Sequence, residues 1–168
     1  MKKWMLCLLV ASVTALSANA KAKQDFVGLL VEMFETQENA NDAQKDFECI
    51  TVSPDMMGKV LQMTEDNKDN EQINKVLRHV KSLRIFSVSH NSNQYYEKVQ
   101  KLLKKNKNTY KPYKANDNVS KTPCIWLRKN NEQVIEIVML NRAADETFQV
   151  VNLTGDMTKE FVTNLLKM

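Results

Sequence analysis

Glycine, proline, histidine and cysteine are all scarce in this chain of 168 residues, which holds three glycines, three prolines, two histidines and three cysteines. Each shortage excludes a kind of chemistry. A phosphate-cradling loop needs several glycines so that backbone N–H groups can approach the ligand, and Gly28, Gly58 and Gly155 stand far apart. A typical zinc site needs converging Cys, His or carboxylate ligands, yet no spacing joins His79 or His90 to such partners. Cys7, Cys49 and Cys124 include no Cys-x-x-Cys pair, the usual signature of a redox-active dithiol. No Gly-x-Ser-x-Gly nucleophile elbow is present. Ser89 and His90 are neighbours in the chain, but adjacent residues on a strand point to opposite faces. We therefore expect no catalytic residue, no cofactor and no metal, and a binding or adaptor module as the function. The alternatives are a small periplasmic hydrolase using His90, or a lipid or small-ligand carrier with an apolar cavity between sheet and helices.

Long apolar runs are lacking too, with one exception. Lys2 and Lys3 precede an apolar stretch from Trp4 to Leu16, and Ser17-Ala18-Asn19-Ala20 follows it. A charged start, an apolar stretch of about 7–15 residues and an A-x-A end make a secretory signal peptide. The stretch is shorter than the roughly 20 residues of a membrane-spanning helix. No cysteine follows it to accept a lipid. Residues 1–20 are therefore expected to be a signal peptide and 21–168 a single α+β domain, exported as a soluble periplasmic or secreted protein. That length is enough to bury a real core.

Charge is unevenly spread. The full chain carries 24 Lys+Arg and 20 Asp+Glu; cleavage removes Lys2 and Lys3 and no acid, leaving 22 against 20 and a net +2. Residues 32–72 hold eleven acids against three lysines, and residues 98–129 hold ten basic residues against Asp117 alone. A basic half can meet an acidic partner or an anionic surface. Its lysines are spread over helix and loop, so at most weak, salt-sensitive association with anionic surfaces is expected. Export argues against nucleic acid. The partner expected is a protein or an envelope surface of unknown identity.

Periodicity sets out the elements. Phe26, Leu29, Leu30, Met33 and Phe34 fit one face of a helix. "FECITV" (47–52) is rich in strand formers. Ser53-Pro54-Asp55 starts a second helix: serine caps, proline suits the first helical position, and the acid meets the positive end of the dipole. Ile73, Val76, Leu77 and Val80 have the spacing of a short helix, and "LRIFSVS" (83–89) that of a strand. "QYYEKVQKLLKK" (94–105) is an amphipathic helix with Tyr95, Val99, Leu102 and Leu103 inward. "YKPYKA" suits an edge strand, because proline lacks a ladder donor. "PCIWLRKNNEQVIEIVMLN" is a hairpin turning at residues 129–132, where asparagine tolerates positive φ. One more strand, "TFQVVNLTGD", and a closing helix, "KEFVTNLLK", complete the chain. The order implies a mainly antiparallel sheet with a C-terminal meander and helices packed on it, an α+β fold.

Three features are left to interpret. Leu153-Thr154-Gly155-Asp156 reads as a structural corner: Gly155 permits a turn, Asp156 or Thr158 caps the last helix, and with Thr158 as cap, Met157 staples onto Val162. Met33, Met56, Met57, Met63 and Met139 lie in apolar patterns and read as core filler. Cys49 and Cys124 fall in predicted strands. A disulfide between them is geometrically open if the strands are neighbours, and two separate buried thiols are the alternative.

The apolar leader, "ITVSPDMMGKVLQM", "VKSLRIFSV", "EIVMLN" and "VVNLTGDMTKEFVTNLLK", in that order, resemble the bacterial exported family catalogued as domain of unknown function 4252. The resemblance covers nearly the whole chain after the leader. It implies a fold and an exported life, and no catalytic residues to carry over. Many members look like lipoproteins, whereas this chain has no acceptor cysteine.

Overall fold

The computed structural model describes residues 24–38, 47–65, 74–75, 77–113, 125–142 and 147–165. In chain order the elements are α1 (Phe26–Glu38), β1 (Phe47–Val52), α2 (Pro54–Glu65), β2 (Val80–Val88), α3 (Ser92–Lys105), β3 (Lys111–Pro112), β4 (Ile125–Asn130), β5 (Gln133–Arg142), β6 (Phe148–Met157) and α4 (Lys159–Leu165). The strands form one six-stranded sheet in the order β1-β2-β6-β5-β4-β3. Every pairing is antiparallel, and β4-β5-β6 is the expected meander. The α+β reading holds.

Local signals act as the residue chemistry dictates. The Ser53 hydroxyl accepts from Met56 N at 3.3 Å and its carbonyl from Met57 N at 2.8 Å, capping α2 at the serine. The β4–β5 hairpin turns with Asn131 at φ 53°, a left-handed conformation that asparagine tolerates better than most residues. Pro112 sits on the outermost strand, where its missing N–H costs no ladder bond. The short helix expected around residues 73–80 is met in part: Asn74, Lys75 and Leu77 are helical, and the departure is at its end. Ile73 and Val76 lie outside the described residues, and Val80 opens β2, because its side chain joins the sheet core.

Both faces of the sheet carry helices. On one face α1 and α3 bury Phe26, Leu30, Phe34, Tyr95, Val99 and Leu103 against the sheet. The ring of Phe34 lies 4.6 Å from that of Tyr95 and 5.6 Å from that of Phe86, contacts of about 0.5–1.5 kcal/mol each beyond area burial. Acidic α1 thus packs beside basic α3, and Lys98 Nζ stands 5.5 Å above the Phe34 ring. On the opposite face α2 and α4 contribute Met57, Phe161 and Val162 to a second cluster with Ile137, Leu153 and Met157. Central strands covered on both sides need apolar residues at successive positions, which explains the unbroken "IVML" of β5.

Candidate functional site

The Leu-Thr-Gly-Asp segment is a distortion of the sheet rather than a turn. β6 runs straight through it to Met157. The register with β2 slips between Val80 and Ser82, and that with β5 slips between Val134 and Glu136, so the segment faces irregularities on both sides. Gly155 has no positive φ. Its requirement is space: an added Cβ would lie 2.0 Å from the His79 carbonyl oxygen. That carbonyl accepts from Asp156 N at 3.0 Å, and the Asp156 carboxylate pairs with Lys81 Nζ. The expectation that Gly155 turns the chain is therefore corrected to a close backbone approach. Thr158 is the cap, since its hydroxyl accepts from Phe161 N at 3.1 Å. Met157 and Val162, on either side of that cap, are both buried in the same cluster, as a hydrophobic staple requires.

The two histidines are exposed. His79 belongs to this same corner. Its Nδ1 lies 3.2 Å from the Asp156 carbonyl oxygen, and its ring stands edge-on to Phe161 at 5.8 Å. His90 lies in the link between β2 and α3, and no group of three metal-capable side chains occurs among the described residues. Cys49 is exposed on β1, so it is no core thiol. Cys124 lies outside the described residues.

The densest polar cluster escaped the sequence reading. Glu136, on β5, is fully enclosed at 0 % exposure. One carboxylate oxygen accepts from Phe26 N at 2.6 Å and from Asn152 Nδ2 at 2.9 Å. The other accepts from the Tyr110 hydroxyl at 3.2 Å and lies 2.6 Å from Arg128 Nε. Phe26 N belongs to the first turn of α1, where backbone N–H groups lack helical partners and the dipole favours an anion. Asp25 completes the cap: its carboxylate accepts from Gly28 N at 2.7 Å and from Arg84 Nη1 at 2.8 Å. Glu136 is thus a latch that fastens the start of α1 to the middle of the sheet.

Electrostatics fit that role. Burial pushes the Glu136 carboxyl above its ordinary pKa, while the Phe26 N–H, the Arg128 guanidinium and the Asn152 amide pull it back. The groups that bond it are all donors, which offset part of the burial cost without restoring the ordinary value, and the nearby Asp25 charge adds to the rise. Burial, and next the Glu136 charge, raise the Tyr110 phenol far above its ordinary value. A carboxylate enclosed on all sides has no path to a substrate, and its chemistry is structural. A signal for it was legible: Asp25 directly before an apolar periodic run is an N-cap pattern. Arg128 and Glu136 also flank the predicted hairpin turn as charges within apolar strands, which is where ion pairs are found.

The other feature is an apolar surface. Met57 is buried, but Met56 is 52 %, Val60 39 % and Met63 80 % exposed, and Ile50 on β1 is 58 % exposed. Met56, Val60 and Met63 recur at i, i+4 and i+7, so they form one stripe along α2. The filler reading is corrected for Met56 and Met63: α2 rests on the sheet through Met57, about 100° around the helix from Met56. Ile50 and Val52 share the sheet face on which α2 packs. Register extends that apolar character across the sheet, pairing Ile50 with Ile85, Ile85 with Val151, Val151 with Met139, and Met139 with Ile125. Ile85, Val151, Met139 and Ile125 are each only half-buried.

No helix among the described residues is long and apolar enough to cross a membrane. Residues 34–165 match a family described as a domain of unknown function (DUF4252), and the chain belongs to that family. The first two turns of α1, with the Phe26 latch, precede the matched region. No curated protein and no solved structure matches the chain.

Proposed function

We propose that this DUF4252 protein is an exported, soluble, non-catalytic binding module that docks a partner against the exposed flank of α2 and Ile50. The observation that carries the reading is the Met56–Val60–Met63 stripe. Apolar side chains scattered singly on a surface are ordinary, but an aligned stripe on one helix, with an exposed strand residue on the sheet face that helix covers, has the character of an interaction site. Methionine suits it, because its flexible, polarisable side chain adapts to different partner shapes. Export rests on the charged start, the apolar stretch and the Ala18–Ala20 pattern.

Two measurements test the reading. N-terminal sequencing of exported material should begin near Lys21, with the protein in the soluble fraction; a full-length, membrane-held form overturns the export half. A photo-crosslinking residue placed at Met56, Val60 or Met63 should give the same discrete adduct from all three sites. The same residue at exposed Lys101, on the α3 side, should not give it. Equal labelling from Lys101 overturns the docking half. Folding is not at risk, because surface substitutions of this kind change stability by about 0.5 kcal/mol or less.

A further inference from the structure

We infer that the partner met by this surface is a second copy of the chain, joined antiparallel through the outer edge of β1; the inference rests on the binding reading above and names its occupant. The two edges of the sheet are treated differently. At one end stands β3, only two residues long, one of them lysine and the other proline. Short length, lysine and proline are the devices by which proteins blunt an edge against strand addition. At the other end stands β1, six residues long, with neither proline nor lysine. Its register with β2 is unbroken from Phe47 to Val52, so no bulge turns it away. Residues 48–51 are exposed, and no other strand among the described residues pairs with the outer side. A strand with one bonded side presents a row of N–H and C=O groups on the other.

The sequence of β1 is complementary to itself. With a two-fold axis normal to the sheet and centred on Ile50, Ile50 stands opposite the partner's Ile50. Cys49 then stands opposite the partner's Thr51, and Glu48 opposite the partner's Val52. Glu48 is the only charged residue of the strand, so no like charges meet. The axis keeps equivalent faces together. The apolar row from Ile125 to Ile50 therefore continues into its own copy, and the two α2 helices lie on the same face of the joined sheet, one on each side of the seam.

Area is in keeping with this arrangement. The exposed parts of Ile50, Met56, Val60 and Met63 amount to roughly 400 Å² per copy, about half of the ~800 Å² per partner that a standard stable interface buries. The strand edge, about 20 Å long, and its remaining side chains contribute to the rest. A foreign extended segment could use the same backbone edge. It would not be matched by a second α2 stripe, which is why the second copy is preferred.

Sedimentation of the chain without residues 1–20, over a concentration series, tests the inference. A dimer is expected, and Ile50→Lys should weaken it by about tenfold or more, because the axis brings two ammonium groups together. Lys101→Glu, on the opposite side, should leave it unchanged. Diagonal neighbours across an antiparallel pair lie about 7–8 Å apart, so a short bismaleimide should join Cys49 to the partner's Cys49, and Cys49→Ser should abolish the product. A monomer at every concentration, with Met63 still photo-labelling another protein, overturns self-association and leaves the binding reading standing. A monomer without any such adduct overturns both. A dimer that ignores Ile50→Lys and gives no Cys49 crosslink overturns the β1 seam. Circular dichroism of Ile50→Lys should match the parent, since the substituted side chain is exposed.

Discussion

Replacing Glu136 by glutamine keeps the shape of the latch and removes its charge. Arg128, only 8 % exposed, then faces a neutral amide with its own charge uncompensated. The amide NH2 cannot accept as the second carboxylate oxygen did, and a buried donor left without its acceptor costs about 1–3 kcal/mol. For a domain of this size that lowers Tm by several degrees. Urea unfolding of the chain without residues 1–20 reads the loss directly. Adding Arg128→Met to Glu136→Gln should recover part of it, because the stranded charge goes while the glutamine oxygen still accepts from Phe26 N or Asn152 Nδ2. The pH dependence has a definite sign. Burial raises the Glu136 pKa above its ordinary 4.5, so above that pH the unfolded chain releases a proton that the folded chain keeps. This group's contribution therefore falls as pH climbs from 4.5 to the folded value and is flat beyond it, and Glu136→Gln removes the slope. A Glu136→Gln loss below about 1 kcal/mol, or a double variant less stable than either single one, would refute the latch.

Gly155→Ala should destabilise by about 2–4 kcal/mol, because the new methyl meets backbone at His79 rather than a side chain that can move aside; a urea midpoint close to the parent's would remove the close-approach reading. Tyr110 should remain a phenol in alkali until the fold opens. Since its folded pKa is raised above 10, stability falls as pH rises past 10, and phenolate absorbance should include a component that tracks unfolding and vanishes in Tyr110→Phe. Two alkylated thiols are expected at Cys49 and Cys124 without reductant. Ile125, the residue after Cys124, opens a strand separated from that of Cys49 by β2, β6 and β5, whereas a disulfide needs Cα atoms within about 7 Å; a mass showing no alkylation would establish the bridge.

Most elements were legible because local patterns and tertiary structure agree. Ser53-Pro54-Asp55 begins a helix in isolation as it does here, and the asparagines at 130–131 mark a hairpin before any partner strand is known. Both are decided within a few residues. What was not legible depends on contacts far apart in the chain. The need for glycine at 155 is set by His79, whose carbonyl approaches from the residue just before β2, and glycine in a sequence does not reveal whether it serves a turn or a close approach. Glu136 and its partners Phe26, Tyr110, Arg128 and Asn152 come from five different elements or links, so no window of residues contains the site. The methionines of α2 show the same limit. Met56, Met57, Val60, Leu61 and Met63 cover more than one helix face, and which face meets the sheet is settled only by where the sheet lies.

The exposed stripe and the latch also follow from one imbalance between the two layers of helix. On the latch side α1 and α3 have 13 and 14 residues, or about 20 Å each at 1.5 Å per residue. On the other side α2 and α4 have 12 and 7 residues, about 18 and 10 Å. Strands β5 and β6, of ten residues each, extend about 34 Å. Neither layer can cover the sheet from end to end. On the α1 side the sheet turns polar where the start of α1 meets it: Ser82, Arg84, Thr154, Glu136 and Arg128 follow the apolar positions along the same face, and their charges are paired through the latch. On the α2 side the positions between the helices and the polar row Glu48, Ser87, Gln149 and Asn141 remain apolar, from Ile50 to Ile125. Had that row needed only solubility, polar residues would have served as they do on the other face. Its apolar character, with an unblunted strand edge and a helix stripe of the same kind, is the pattern on which the proposed interface rests.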